Sequence, residues 1–78
     1  MMFLVLDDDG LYDQDRPYEY KFSTLEKCYE FLRTQINERY QFRLIESKVP
    51  DTWYVEIASK QAKPKWYKSL FWRVKRIN

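Results

Sequence analysis

The sequence predicts an α+β fold in which an antiparallel β-sheet carries a single helix on one face, in the order β-β-α-β-β-β. Apolar residues recur at helical steps in only one stretch, between Ser23 and Tyr40. The stretches on either side alternate with the period of strands, and the later ones are joined by short polar connections, so a meander of neighbouring antiparallel strands is the economical arrangement. Seventy-eight residues make one domain, 1–78, of a size that buries only about 60–65% of its unfolded surface and therefore needs a dense core. Aromatics at 19% of the chain can fill such a core with few residues.

Met2-Phe3-Leu4-Val5-Leu6 is a continuous apolar run and reads as a candidate central strand, buried on both faces or with its second face covered by the chain's own neighbours. Asp7 to Pro17 follows with five Asp, the only Gly and a Pro, and reads as one acidic loop. A tight hairpin turn at Asp9-Gly10 is the alternative. It would set Leu6 against Asp13, whereas a longer loop sets Leu6, Leu4 and Met2 against Tyr18, Tyr20 and Phe22, which alternate cleanly with Glu19 and Lys21. The long loop is the preferred reading.

Ser23-Thr24-Leu25-Glu26 has the form of a capping box, with Ser23 and Glu26 satisfying each other's backbone N–H groups. Leu25, Cys28, Tyr29, Leu32, Ile36 and Tyr40 then form one apolar stripe over roughly 17 residues, about 25 Å of helix. Phe42 and Leu44 flank Arg43 in a third strand over roughly 41–47, the turn is Val49-Pro50-Asp51, and Trp53, Val55 and Ile57 alternate with Tyr54, Glu56 and Ala58 in a fourth. Lys60 to Pro64 is a connection. Lys65 to Ile77 is the fifth strand, with Trp66, Leu70, Trp72 and Val74 facing the helix and Lys65, Tyr67, Phe71, Arg73 and Lys75 facing away.

Few routes to chemistry are open. The chain has no His, so neither a Ser-His-Asp nor a Cys–His arrangement can be written, and one Gly leaves no glycine-rich phosphate loop. The expectation is a non-enzymatic protein without cofactor. The single Cys28 sits on the apolar helix stripe, where it reads as a small core hydrophobe; it excludes an internal disulfide and suits the reducing cytoplasm. Met1–Leu6 is six residues long, has no basic flank and runs into Asp7, so it fits neither a signal peptide nor a membrane span. The acids before Gly10 miss calcium-loop spacing, because counting back places Val5 where the first ligand belongs. No metal is expected.

Charge is segregated. The net +2 of the whole divides into six acids and two bases over residues 1–22, near balance over 23–59, and seven bases without an acid over 60–78. Two candidate contact surfaces follow. The first is the basic, aromatic face of the last strand: Lys65, Tyr67, Phe71, Arg73 and Lys75. The second is the acidic loop, with Asp7, Asp8, Asp9, Tyr12, Asp13 and Asp15, read first as a solvated loop and second as one that meets a basic partner.

Tyr12, Tyr54, Tyr67 and Phe71 exceed what a core of this size needs, and such residues dominate protein interfaces. The leading expectation is therefore a protein-binding module, an inhibitor or adaptor; in size and composition it is similar to small accessory proteins of phage or mobile elements, an analogy that identifies no family. Nucleic-acid binding through the basic, aromatic last strand is the alternative function, cations tracking phosphates while rings stack on bases. A weak homodimer, acidic loop against basic end, is the third reading. Against all of these stands a structural one, in which Lys and Arg blunt an outer strand against aggregation.

Overall fold

The computed structural model describes every residue, Met1–Asn78, as β1 (Met2–Asp7), α1 (Gly10–Gln14), β2 (Tyr18–Phe22), α2 (Leu25–Gln35), β3 (Tyr40–Glu46), β4 (Thr52–Ser59) and β5 (Tyr67–Ile77). The strands form one antiparallel sheet in the order β2-β1-β5-β4-β3. The α+β class, the single main helix and the β3-β4-β5 meander are as the sequence predicts. The position of β5 is not that of an outer strand: it lies at the centre of the sheet, and β2 and β3 form the edges.

The helix starts one residue later than the capping box suggests. Thr24 is extended (φ −138°, ψ 156°) and its Oγ1 accepts from the Lys27 N–H at 3.1 Å, which makes Thr24 the N-cap and leaves Ser23 outside. Two adjacent residues of capping chemistry compete here. The cap at Thr24 begins the helix at Leu25, which packs on the core. The far end also comes early. Ile36 is extended while its N–H donates to the Leu32 carbonyl at 2.8 Å, and the Asn37 side chain then accepts from the Arg39 N–H at 2.9 Å. That side-chain turn competes with helix, as Asn commonly does. It releases Tyr40 to open β3, so Tyr40 leaves the helical stripe and stands 46% exposed.

The core lies between α2 and one face of the sheet: Cys28, Leu32 and Ile36 from the helix meet Val5, Val55 and Val74 from three adjacent strands. Phe31, outside the expected stripe, organises the half-buried aromatics around this core, with ring centroids 4.6 Å from Tyr20, 5.2 Å from Phe22 and 6.2 Å, edge-on, from Trp72. On the same face, Tyr29 reaches toward the β3 edge, stacked 5.7 Å from Phe42.

In the first hairpin the register is one residue away from the expected one. Phe3, Val5 and Asp7 stand opposite Phe22, Tyr20 and Tyr18, so Leu4 and Leu6 fall on the other face beside Lys21 and Glu19. A one-residue slip exchanges the faces of every side chain, and the choice between Leu4/Leu6 and Phe3/Val5 could not be read from a run that is apolar throughout. Leu4 and Leu6 are nonetheless buried, so this strand is covered on both faces as its composition predicts.

The connection from β1 to β2 is long, but it is not wholly a loop. It contains the short helix α1, after which Asp15 turns the chain in the left-handed region (φ 58°). Gly10 is needed at its start for space: a Cβ there would stand 2.7 Å from the Arg16 carbonyl oxygen and 2.9 Å from the Tyr18 nitrogen.

Candidate interaction surfaces

The faces of β5 are decided by an irregularity near its start. Tyr54 pairs with Arg73 and Glu56 with Lys68, so two steps along β4 oppose five along β5. The excess is odd, and an odd excess inverts the in-out alternation on either side of it. Ser69 holds the bulge: its Oγ accepts from the N–H of Phe71 at 3.3 Å and of Trp72 at 3.2 Å. At its crest Leu70 is 84% exposed, with Phe71 43% exposed beside it.

This separates the expected basic face into three parts. Tyr67 stands opposite Ile57, which packs on the core, so Tyr67 lies on the helix side, and Lys65 accompanies it with Nζ 5.5 Å from the Tyr67 ring. Together with Tyr40 and Ile57 they wall a cleft of about 480 Å³ at the end of the β3–β4 pair. Phe71 belongs to the bulge. Arg73 and Lys75 stand opposite Tyr54 and Thr52, on the face away from the helix. Of the four residues assigned inward, Trp72 and Val74 do pack on the core. Leu70 does not, and Trp66 lies under the guanidinium of Arg43, 4.0 Å from its Cζ, on the open face.

Straight alternation places Lys68 in the inward set with Trp66, Leu70, Trp72 and Val74. A charge in the middle of an apolar face is the trace of the bulge in the sequence. Lys68 instead pairs with Glu56 in register and lies with Nζ 5.0 Å from the Tyr54 ring.

The acidic loop is partly used inside the molecule. Both carboxylate oxygens of Asp8 accept from Arg73, at 2.7 and 2.8 Å, and the Asp8 N–H donates to the Phe71 carbonyl at 2.8 Å. This fork holds the Arg73 guanidinium above its ordinary pKa, the hydrogen bonds to Asp8 outweighing partial burial. Asp7 accepts from the Asp9 N–H at 3.0 Å, and Asp13 accepts from the Tyr18 hydroxyl at 2.8 Å, which raises the pKa of Tyr18 by hydrogen bonding to its neutral form. Tyr12 is 85% exposed on α1, and Asp9 and Asp15 are exposed at its two ends. The two predicted surfaces thus meet at Asp8. Part of the charge pairing expected between two copies is made within one.

The open face of the sheet was not singled out by sequence. Register places Lys21, Leu4, Lys75 and Thr52 in one row across β2, β1, β5 and β4, and Glu19, Leu6, Arg73, Tyr54 and Ile45 in the next across the whole sheet. A third row holds Lys68, Glu56 and Arg43. Arg43 pairs with Glu56 at 2.8 Å, while Lys21, Lys68 and Lys75 form no ion pair. No helix of the molecule is long and apolar enough to cross a membrane. Comparison with protein-family models, curated proteins and solved structures finds no match to this chain.

Proposed function

We propose that this protein is a non-enzymatic protein-binding module, an inhibitor or adaptor, that meets its partner with the bulged end of the sheet. The observation that carries this reading is Leu70, held 84% exposed at the crest of a hydrogen-bonded bulge with Phe71 beside it. Bulges re-aim side chains at defined places, and fully burying one Leu against a partner would contribute about 1.5–3 kcal/mol. Asp8, which bonds the bulge, also accepts from the N–H of Leu11 and so anchors α1 at the same end of the sheet, with exposed Leu11 and Tyr12. Asp9, Asp13 and Asp15 supply an acidic rim that would steer a basic partner. A cytoplasmic setting suits the single buried thiol, whose pKa burial pushes up to about 11, making it a poor nucleophile at neutral pH.

The test compares wild type with Leu70→Asp/Phe71→Asp in affinity capture from nuclease-treated source lysate, with a photo-crosslinking residue at position 70 and, as control, at exposed Lys48. The expected result is a partner crosslinked from position 70, not from 48, and lost in the double variant although that variant melts like wild type. A partner retained equally by the folded double variant would overturn the assignment to this end.

A further inference from the structure

We infer that the open face of the sheet is a binding surface for single-stranded nucleic acid, separate from the bulged end. It faces away from α2, which packs on the other side, yet it is not an apolar surface awaiting a second layer. Its two leucines, Leu4 and Leu6, are already buried in the rows that carry Lys21, Lys75, Glu19 and Arg73. The remainder of the three rows is mainly charged, with Tyr54, Thr52 and Ile45 among the charges. Five cations face three carboxylates there, and two of those carboxylates, Asp8 and Glu56, are taken by Arg73 and Arg43. Lys21, Lys68 and Lys75 are left exposed without an acid.

The spacing suits a polyanion that crosses the sheet. Lys21 and Lys75 flank Leu4 from β2 and β5, two strand spacings or roughly 10 Å apart. Lys75 stands level with Thr52 and Lys68 level with Glu56, four residues of β4 or roughly 13 Å further along. Within this frame lies Tyr54, and beyond it Trp66. Each ring already carries a cation on one side, Lys68 on Tyr54 and Arg43 on Trp66. Arg guanidinium planes, like aromatic rings, serve as stacking surfaces for unstacked bases, and that of Arg43 is seated over the Trp66 ring.

These rings select the single strand. In a duplex the base faces are stacked on one another and out of reach, so cations alone would bind, whereas an unstacked strand can use phosphate contacts and ring contacts together. An edge-protecting role does not account for Lys75, which lies where β5 is paired on both sides, with Leu4 of β1 and Thr52 of β4.

Fluorescence anisotropy with labelled oligo-dT and oligo-U of about 12 residues, a length in the range one such surface covers, tests the inference on the intact chain. Wild type is expected to bind at low salt with a slope of log affinity against log salt near −2, as about three phosphate contacts on a single strand give. The triple variant Lys21→Gln/Lys68→Gln/Lys75→Gln should lose at least about tenfold in affinity and most of the slope. Tyr54→Leu should lose about fivefold or more through stacking. A control triple in the loops, Lys48→Gln/Lys60→Gln/Lys63→Gln, and Leu70→Asp should bind like wild type, which separates this surface from the bulged end.

Three results would overturn the inference. One is no binding of either oligonucleotide at low salt. Another is equal binding by the folded Lys21/Lys68/Lys75 variant. The last is equal competition by duplex of the same length or by an acidic polypeptide, which would mean that the face responds to charge alone.

Discussion

From Trp72 to Ile77, β5 pairs with β1, and from Arg73 to Lys75 with β4 as well, where it is clamped between the two and Val74 is fully buried; at Tyr67 and Lys68 it pairs in register with β4 alone, and Leu70 just beyond them is 84% exposed. Both halves mix aromatic, aliphatic and basic residues, which suggested one continuous strand. What differs is the neighbour. β1 ends at Asp7, opposite Trp72, and beyond it only the Asp8 N–H reaches β5, at the Phe71 carbonyl. With a partner on each side and α2 above, a strand has no room for an extra residue. With one side free, the chain takes up three extra residues, Ser69 satisfies the displaced N–H groups, and the side-chain alternation inverts. The clamped half carries stability and the free half is open to carry contact.

The largest expected effect lies under the clamped half. Leu32 is fully buried against Val5 and Val74, so Leu32→Ala should destabilise by about 2–5 kcal/mol in denaturant unfolding. A loss below about half a kcal/mol would mean that α2 does not sit on this part of the sheet.

Cys28 sharpens the same contrast through pH. Its thiol is fully buried, and burial raises its pKa from 9.0 to about 11. Below the unfolded value the thiol is neutral in both states and its contribution is fully present. As pH rises past 9.0 the unfolded chain ionises first, and the contribution is lost by about 11. The stability of wild type relative to Cys28→Ala should therefore fall by about 2–3 kcal/mol across that window. Parallel curves for the two proteins would show that solvent reaches the thiol.

The smallest effects belong to the free half. Ser69→Ala should cost about 1 kcal/mol by leaving two backbone N–H groups to water, and Leu70→Ala should stay within about 0.5 kcal/mol. A Leu70→Ala loss comparable to that of Leu32→Ala would erase the distinction between the halves and return Leu70 to the core.

Much of this molecule was legible in the sequence because the signals are local. The apolar stripe through Leu25, Cys28 and Leu32, the alternation of Tyr18 to Phe22, and the turn residues at Val49-Pro50-Asp51 each follow from the spacing of near neighbours along the chain, and each element formed where it was expected. The absence of His and the lone Cys28 likewise narrowed the chemistry without any coordinates. Where two local signals competed, as at Ser23 and Thr24 or at Asn37, the element was right and its boundary was not.

The candidate surfaces depended on what the sequence does not encode locally. The register of β1 against β2 is a choice between Leu4/Leu6 and Phe3/Val5 that an unbroken apolar run cannot make, and the packing of Phe31 against Tyr20, Phe22 and Trp72 goes with the one adopted. The place of β5 at the centre of the sheet is a matter of pairing between segments some seventy residues apart, as at Leu4 and Lys75. Only that pairing brings Asp8 to Arg73, ends the clamp at Trp72 and lets the bulge form. Only the inversion it causes puts Lys68 and Trp66 on the same face as Arg43, Tyr54 and Lys75. Side-chain period is a property of a strand, but which face is inside, and where the period breaks, is set by the strands beside it.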